Sequence, residues 1–418
     1  MDIKQKAVKA SDKIIYWSII MVPFVASFSS AAVQVFIGFM IFFFLVKKIL
    51  TKDLSIAKIP INLPFALMIA IAILSFINSV KIHASIQGIV KLLMYGFLII
   101  IMSGEIKDRK HFVRIVVSVL FGLFLSSFDG IYQLVFHKDL FRHQVYNLVI
   151  GLPRLNAAFP DCNVFAGYLA LFVPFCVPLL LYYLKGKLRI FSWFVVLPSF
   201  FCLIFTFSRS AAFGVWLVLL LMGILKKDKV ILSALIIILL IAPFLMPTTI
   251  RDWSKKTTSW ADLLLNKERP VLYETSFNMI KHHPVIGVGV NTYVLNYKKY
   301  KLHETSPETV NTNWYAHNSF LQMASEIGIT GFFIFMWLLY LLFSKWFIFF
   351  NNSKDELLRH CSLGAAMGIL AFLIHGLTET NLYYPKIAVL FWFEVGLVMV
   401  MLSLNKIKTA SGLDRKGA

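Results

Sequence analysis

The sequence predicts an all-α polytopic membrane protein, with about 12 transmembrane helices and one large, partly helical loop between the ninth and tenth spans. Three observations predict it. Apolar runs follow one another almost end to end, basic residues alternate between the segments that join them, and one long polar stretch breaks the alternation. Of 418 residues, 59% are hydrophobic and only 15% charged, with a mean hydropathy of +0.76. A water-soluble chain of this length could not cover so much apolar surface, so soluble folds are set aside.

A bilayer takes about 20 mostly apolar residues per helix. Such runs fall at residues 14–28, 31–46, 60–80, 86–103, 112–136, 163–184, 190–206, 210–225, 230–246, 328–350, 357–375 and 387–404. The first run follows Lys4, Lys6, Lys9 and Lys13, as in a signal peptide. A second apolar run follows at once, so both are read as retained helices. The first two runs also have the form of one broken hairpin.

The net charge of +20 would suggest nucleic acid in a soluble protein. Here the charge is sided. With the N-terminus inside, the cytoplasmic segments carry 25 Lys and Arg and the short outer turns six, which orients the chain with both termini in the cytoplasm. No nucleic-acid partner is expected. The organisation that follows is 1–246 as spans one to nine, 247–327 as an outer loop, 328–406 as spans ten to twelve and 407–418 as a cytoplasmic tail. Cys162, Cys176, Cys202 and Cys361 form no CxxC pair, so neither a disulfide framework nor a zinc site is implied.

A loop as long as 247–327 is usually functional or disordered, and this one carries helical signals. Tyr273, Phe277 and Ile280 share a face behind Arg269-Pro270, with Pro284 closing the helix. Ser319 and Gln322 have capping-box spacing, which predicts a helix from Phe320 toward span ten. Gly287-Val288-Gly289 lacks a third glycine and reads as a turn.

Outer-face residues carry the candidate chemistry. Arg209 lies in a turn too short to leave the membrane surface, on the side poor in basic residues. An arginine near hydrocarbon costs about 3 kcal/mol or more, and a guanidinium there suits phosphate oxygens better than headgroup snorkelling. Arg269 opens the loop helix, and Arg154 precedes Phe159-Pro160-Asp161-Cys162-Asn163 at the entrance to span six. Taken alone, Arg269 is a surface arginine and His317 a structural histidine. Beside a helix N-terminus, however, an imidazole is held neutral and can accept a proton, while the same helix end attracts phosphate. Glu326 and Glu379, at outer ends of spans, are candidate helpers. Lys91, Asp129, His375 and Glu394 are scattered intramembrane ionisable residues that packing explains equally well. Trp253, Trp260, Trp314 and Tyr383 read as interfacial anchors, and His303 has no nameable partner.

Four stretches together carry a family resemblance: Arg269-Pro270-Val271-Leu272-Tyr273-Glu274; His283-Pro284-Val285-Ile286-Gly287-Val288-Gly289-Val290-Asn291; Ala316-His317-Asn318-Ser319-Phe320-Leu321; and Glu326-Ile327-Gly328-Ile329-Thr330-Gly331. They resemble the core signature of the O-antigen ligase family, and the Phe207-Ser208-Arg209-Ser210 turn and the approach to Asn163 are similar to its upstream motifs. Cys162 departs from the pattern, which more often has proline there. The resemblance implies a glycosyltransferase of lipopolysaccharide biosynthesis in the bacterial inner membrane. It would take a glycan from an undecaprenyl-pyrophosphate donor and place it on a sugar hydroxyl of lipid A–core at the periplasmic face, without metal or other cofactor. It implies Arg209 and Arg269, with Arg154, on the donor pyrophosphate and His317 at the acceptor hydroxyl, supported by Asn318, Glu326 and Asn163. Two related readings share the donor and differ in acceptor: a surface-polysaccharide polymerase and a protein O-oligosaccharyltransferase. A transporter or flippase is the reading of another class, and charges gathered on one face count against it.

Overall fold

The computed structural model describes residues 3–149, 151–245, 269–302 and 315–410. Trp253, Trp260, His303, Trp314 and the far end of the expected cytoplasmic tail lie outside the described residues. Among the described residues, 79% are helical and there are 14 α-helices. In chain order these begin with α1 (Ile3–Val25), α2 (Ser30–Thr51), α3 (Asn62–Leu74), α4 (Ile82–Glu105) and α5 (Arg109–Phe136). A two-stranded antiparallel ribbon follows, β1 (Asn147–Val149) and β2 (Leu152–Arg154), with Asn147 opposite Arg154. Then come α6 (Cys162–Pro178), α7 (Gly186–Phe205), α8 (Arg209–Lys226) and α9 (Lys229–Leu245). The long loop contributes α10 (Arg269–His282) and α11 (Tyr293–Tyr300), and α12 (Ser319–Asn352), α13 (Glu356–His375) and α14 (Pro385–Ala410) complete the chain.

All twelve expected spans fall on helices. Nine of the helices are long and apolar enough to cross a membrane, and Asn62–Asn78 and Lys229–Ile241 are shorter apolar helices. The remaining one, α1, carries its lysines in its first half. It is separate from α2, whose first turn is capped by Ser29. The helix expected behind Arg269-Pro270 is α10.

Burial divides the bundle. The apolar windows of α6, α13 and α14 are 94%, 83% and 89% buried, against 22% for α2. Three helices hydrophobic all round therefore form the centre, and helices such as α2 present Val35, Phe39 and Phe42 outward, where lipid would lie. Between apolar helices in lipid, association relies on close packing. Gly364 and Gly368 supply it on α13, because a Cβ at either would overlap the backbone of α6 at Phe175 or Leu171. The candidate site described below lies at one end of this central trio.

Two loop motifs form a single joint. Within α12 the backbone leaves helical geometry at Ile327 and Gly328, with Gly328 at φ +75°. The break frees the carbonyls of Ser325 and Glu326, which accept the amides of Val288 (2.8 Å) and Gly289 (3.0 Å), while the Ile329 amide donates to the Pro284 carbonyl at 2.8 Å. The 287–289 turn thus docks into the break and satisfies the exposed backbone. A Cβ on Gly328 would overlap the Val285 carbonyl and require a left-handed backbone. Gly328→Ala is expected to destabilise the protein by about 2–5 kcal/mol, read as a lower thermal-inactivation midpoint in detergent; an unchanged midpoint would refute the joint.

Candidate active site

Arg154 is placed by the ribbon, which is tied to the end of α7 by the Leu155 amide donating to the Phe205 carbonyl at 2.9 Å. Its Nε donates to the Thr206 carbonyl at 2.7 Å and Nη2 to Asn163 Oδ1 at 2.8 Å. Asp161 caps α6, accepting from the amides of Asn163 (2.7 Å) and Val164 (2.9 Å), as an N-cap carboxylate should. The cap sets Asn163 in the first turn, and its Nδ2 donates to Glu379 Oε1 at 3.0 Å.

Glu379 is the hub. It lies between α13 and α14 and is 3% exposed. Its Oε1 also accepts from Arg269 Nη2 at 2.7 Å, at the first residue of α10, and its Oε2 pairs with His317 Nδ1 at 2.9 Å. The Glu379 backbone is pinned in turn, since its carbonyl accepts from Ser319 through the amide (3.1 Å) and Oγ (2.9 Å). Burial would raise the Glu379 carboxyl, but the His317 hydrogen bond and the charges of His317, His375 and Arg269 outweigh it, so it titrates below its ordinary range. Asp161 is pushed the other way, first by burial and then by the Glu379 charge, against its N-cap bonds. Of the two carboxyls, Glu379 is therefore the one whose ionised form the site favours.

That assignment fixes the histidine. A carboxylate only accepts, so His317 Nδ1 carries a proton, and in the neutral ring Nε2 has a free lone pair. The His317 side chain is 31% exposed, and among the described residues Nδ1 is its one bonded ring atom. Its backbone is left-handed, φ +44°, like those of Phe207 two residues before Arg209 and Ala157 ahead of Asp161. Such conformations cost a non-glycine residue about 1–3 kcal/mol and concentrate at functional sites.

Of the sequence candidates, Arg154, Asn163, Arg269 and His317 meet in one hydrogen-bonded cluster. Arg209, exposed at the start of α8, lies close enough for the charges of Arg269 and Arg154 to act on it. Asn318 serves the helix, its side chain accepting from the amides of Phe320 (2.9 Å) and Leu321 (3.0 Å). The expected capping box is corrected by one residue: Asn318 is the cap, because the Ser319 hydroxyl is committed to Glu379 and Gln322 Oε1 accepts from the Ala316 amide at 3.3 Å. Glu326 sits at the far end of that first helical stretch. Its oxygens accept from the amides of Asn291 (2.6 Å) and Tyr293 (3.2 Å), tying the 287–291 turn and the start of α11 to α12.

His375, read from sequence as scatter, is fully buried beneath the cluster. Its Nε2 donates to the Asn163 carbonyl at 3.2 Å, and its Nδ1 pairs with Ser210 Oγ at 2.9 Å, joining α6, α8 and α13. No local motif marks it; the signal was only its place at the end of α13, four residues before Glu379. Among the described residues, no three His, Cys, Asp or Glu side chains are grouped so as to hold a metal ion. The arrangement can bind an anion, with three guanidinium groups near the Glu379 carboxylate, and beside it an imidazole able to take a proton.

No curated protein matches the chain. Residues 193–336, from within α7 to the first turns of α12 beyond the break, match the model of the O-antigen ligase family, and that stretch holds Arg209, Arg269 and His317.

Proposed function

We propose that this protein transfers a glycan from an undecaprenyl-pyrophosphate donor to a sugar hydroxyl of lipid A–core at the periplasmic face of the bacterial inner membrane. The observation that carries the reading is the single carboxylate, Glu379, holding Arg269 and His317 at 2.7 and 2.9 Å with Arg154 one residue further along the network. An anion-binding group and a proton acceptor are thereby positioned by the two oxygens of one carboxylate.

In the reaction, the acceptor hydroxyl gives its proton to His317 Nε2 as its oxygen attacks the anomeric carbon. The bond from that carbon to the pyrophosphate oxygen breaks with its electron pair leaving on the pyrophosphate. Direct displacement inverts the anomeric centre. Charge develops on the leaving oxygen, so Arg209, Arg269 and Arg154 favour the transition state over the ground state. Glu379 keeps the imidazole in its accepting tautomer and stabilises the imidazolium that forms, as a buried carboxylate does in a hydrolase triad.

The test is transfer in vitro from a purified lipid-pyrophosphate glycan to lipid A–core, to free glycan and to a peptide. Transfer to lipid A–core alone supports a ligase; chain extension or peptide modification would reassign the acceptor. Arg269→Ala should reduce transfer by about 10²–10³-fold while membrane insertion is retained. EDTA should leave the rate unchanged, and inhibition reversed by magnesium would overturn the arginine-only account of leaving-group stabilisation.

A further inference from the structure

A second polar cluster lies across the joint from Glu379, and the reaction above makes no use of it. Lys91 stands nine residues inside α4, about 13 Å from that helix's first residue at 1.5 Å per residue. The α3–α4 turn is bound to the 287–291 segment, with Asn78 Nδ2 donating to the Gly287 carbonyl (2.8 Å) and Ser85 Oγ to that of Val290 (3.0 Å), so this end of α4 is on the side of the candidate site. An ammonium at that depth is costly and commonly marks a site.

The Lys91 group has three donors. Among the described residues one is used, toward Asn291 Oδ1 at 3.2 Å. Asn291 is itself locked: its amide donates to Glu326 Oε2 at 2.6 Å and its Nδ2 to the Ala84 carbonyl at 2.9 Å. Among the described residues Glu326 makes no hydrogen bond to the lysine; its oxygens accept from the amides of Asn291 and Tyr293 and from Gln322 Nε2 at 3.3 Å, and its carboxylate lines the same cleft. Lys91 lines an open cleft of about 80 Å³. Its lining is mixed, with Lys91, Asn291, Glu326 and Tyr383 polar or charged, and Met68, Leu92 and Trp392 apolar.

We propose that this cleft binds the phosphate of a membrane lipid, with Lys91 as its cation and the apolar lining against the first part of the lipid chain. A lysine suits phosphate as a point charge, and an amphiphile fits a cavity lined by both polar and apolar side chains. The inference does not depend on the transfer reaction.

Native mass spectrometry of the intact protein in detergent tests it, with phosphatidylglycerol, phosphatidylcholine and inorganic phosphate as separate probes. The wild type should retain phosphatidylglycerol more tightly than phosphatidylcholine. Lys91→Met should weaken phosphatidylglycerol roughly tenfold or more, and Lys91→Arg should restore it. Equal retention by Lys91→Met and wild type would overturn the proposal, and so would displacement of the lipid by millimolar inorganic phosphate, which would mark a free-anion site. Should Lys91→Met fail to fold, photoactivatable phosphatidylglycerol on the wild type decides: labelling at Met68 or Leu92 supports the site, and labelling confined to other helices overturns it.

Discussion

His317→Ala is expected to slow glycan transfer by about 10²–10⁴-fold while leaving donor affinity unchanged. The split follows from the site. His317 spends Nδ1 on Glu379, and in the proposed reaction Nε2 is the atom left to meet a hydroxyl, whereas the donor's charge falls to Arg154, Arg209 and Arg269. Removing the imidazole therefore removes the proton acceptor and leaves the anion site standing. The backbone at φ +44° supplies the control. Asparagine tolerates the left-handed region better than alanine, so His317→Asn keeps the turn without the base and should be as slow as His317→Ala. Added imidazole should restore part of the rate in the alanine variant. The measurements are single-turnover rates and donor binding on the same preparations. A variant that binds donor poorly yet transfers at the normal rate once saturated would remove the base role.

The legible parts of this protein are those with a local pattern. Apolar runs and sided lysines marked the helices, because spans and their charge bias repeat along the chain. Arg209, Arg269 and His317 stood out because charge and imidazole are conspicuous at outer turns. Glu379 was legible only as a candidate helper. Its partners Arg269, Asn163 and His317 lie 110, 216 and 62 residues away, so no spacing announces that one carboxylate joins all three. Glu326 is a different case. It sits in a conspicuous stretch with Gly328, but the stretch builds a joint: the helix break needs partners for its carbonyls, and the 287–289 turn supplies them. The cap moved from Ser319 to Asn318 because a tertiary acceptor, the Glu379 carbonyl, claimed the serine hydroxyl. The matched family domain ends at residue 336, before His375 and Glu379, so the family match alone would not have named the hub either.

Glu379→Gln is expected to do what neither arginine nor histidine variants do, lowering the rate and the acid sensitivity together. Three donors converge on two carboxylate oxygens: Asn163 Nδ2 and Arg269 on Oε1, His317 on Oε2. Glutamine keeps one oxygen and sets an N–H₂ where another donor already points. Either His317 turns over into the wrong tautomer, or Arg269 and Asn163 lose their acceptor. By the logic of a carboxylate–histidine pair the rate should fall by about 10²–10⁴-fold, and loss of a buried ion-pair partner should cost about 3–5 kcal/mol of stability. Glu379→Asp keeps the charge and should recover stability better than rate, since a shorter side chain cannot reach all three donors. The pH dependence has a definite sign. The folded carboxyl titrates below its ordinary range, so its contribution is complete above the unfolded value and disappears as pH falls through the lower folded one. The wild-type thermal midpoint should therefore drop on acidification below the ordinary carboxylate range, and the Glu379→Gln midpoint, lower to begin with, should drop less steeply over the same interval. Parallel pH curves for the two proteins would mean that Glu379 is not the ionised centre that holds Arg269 and His317 in place.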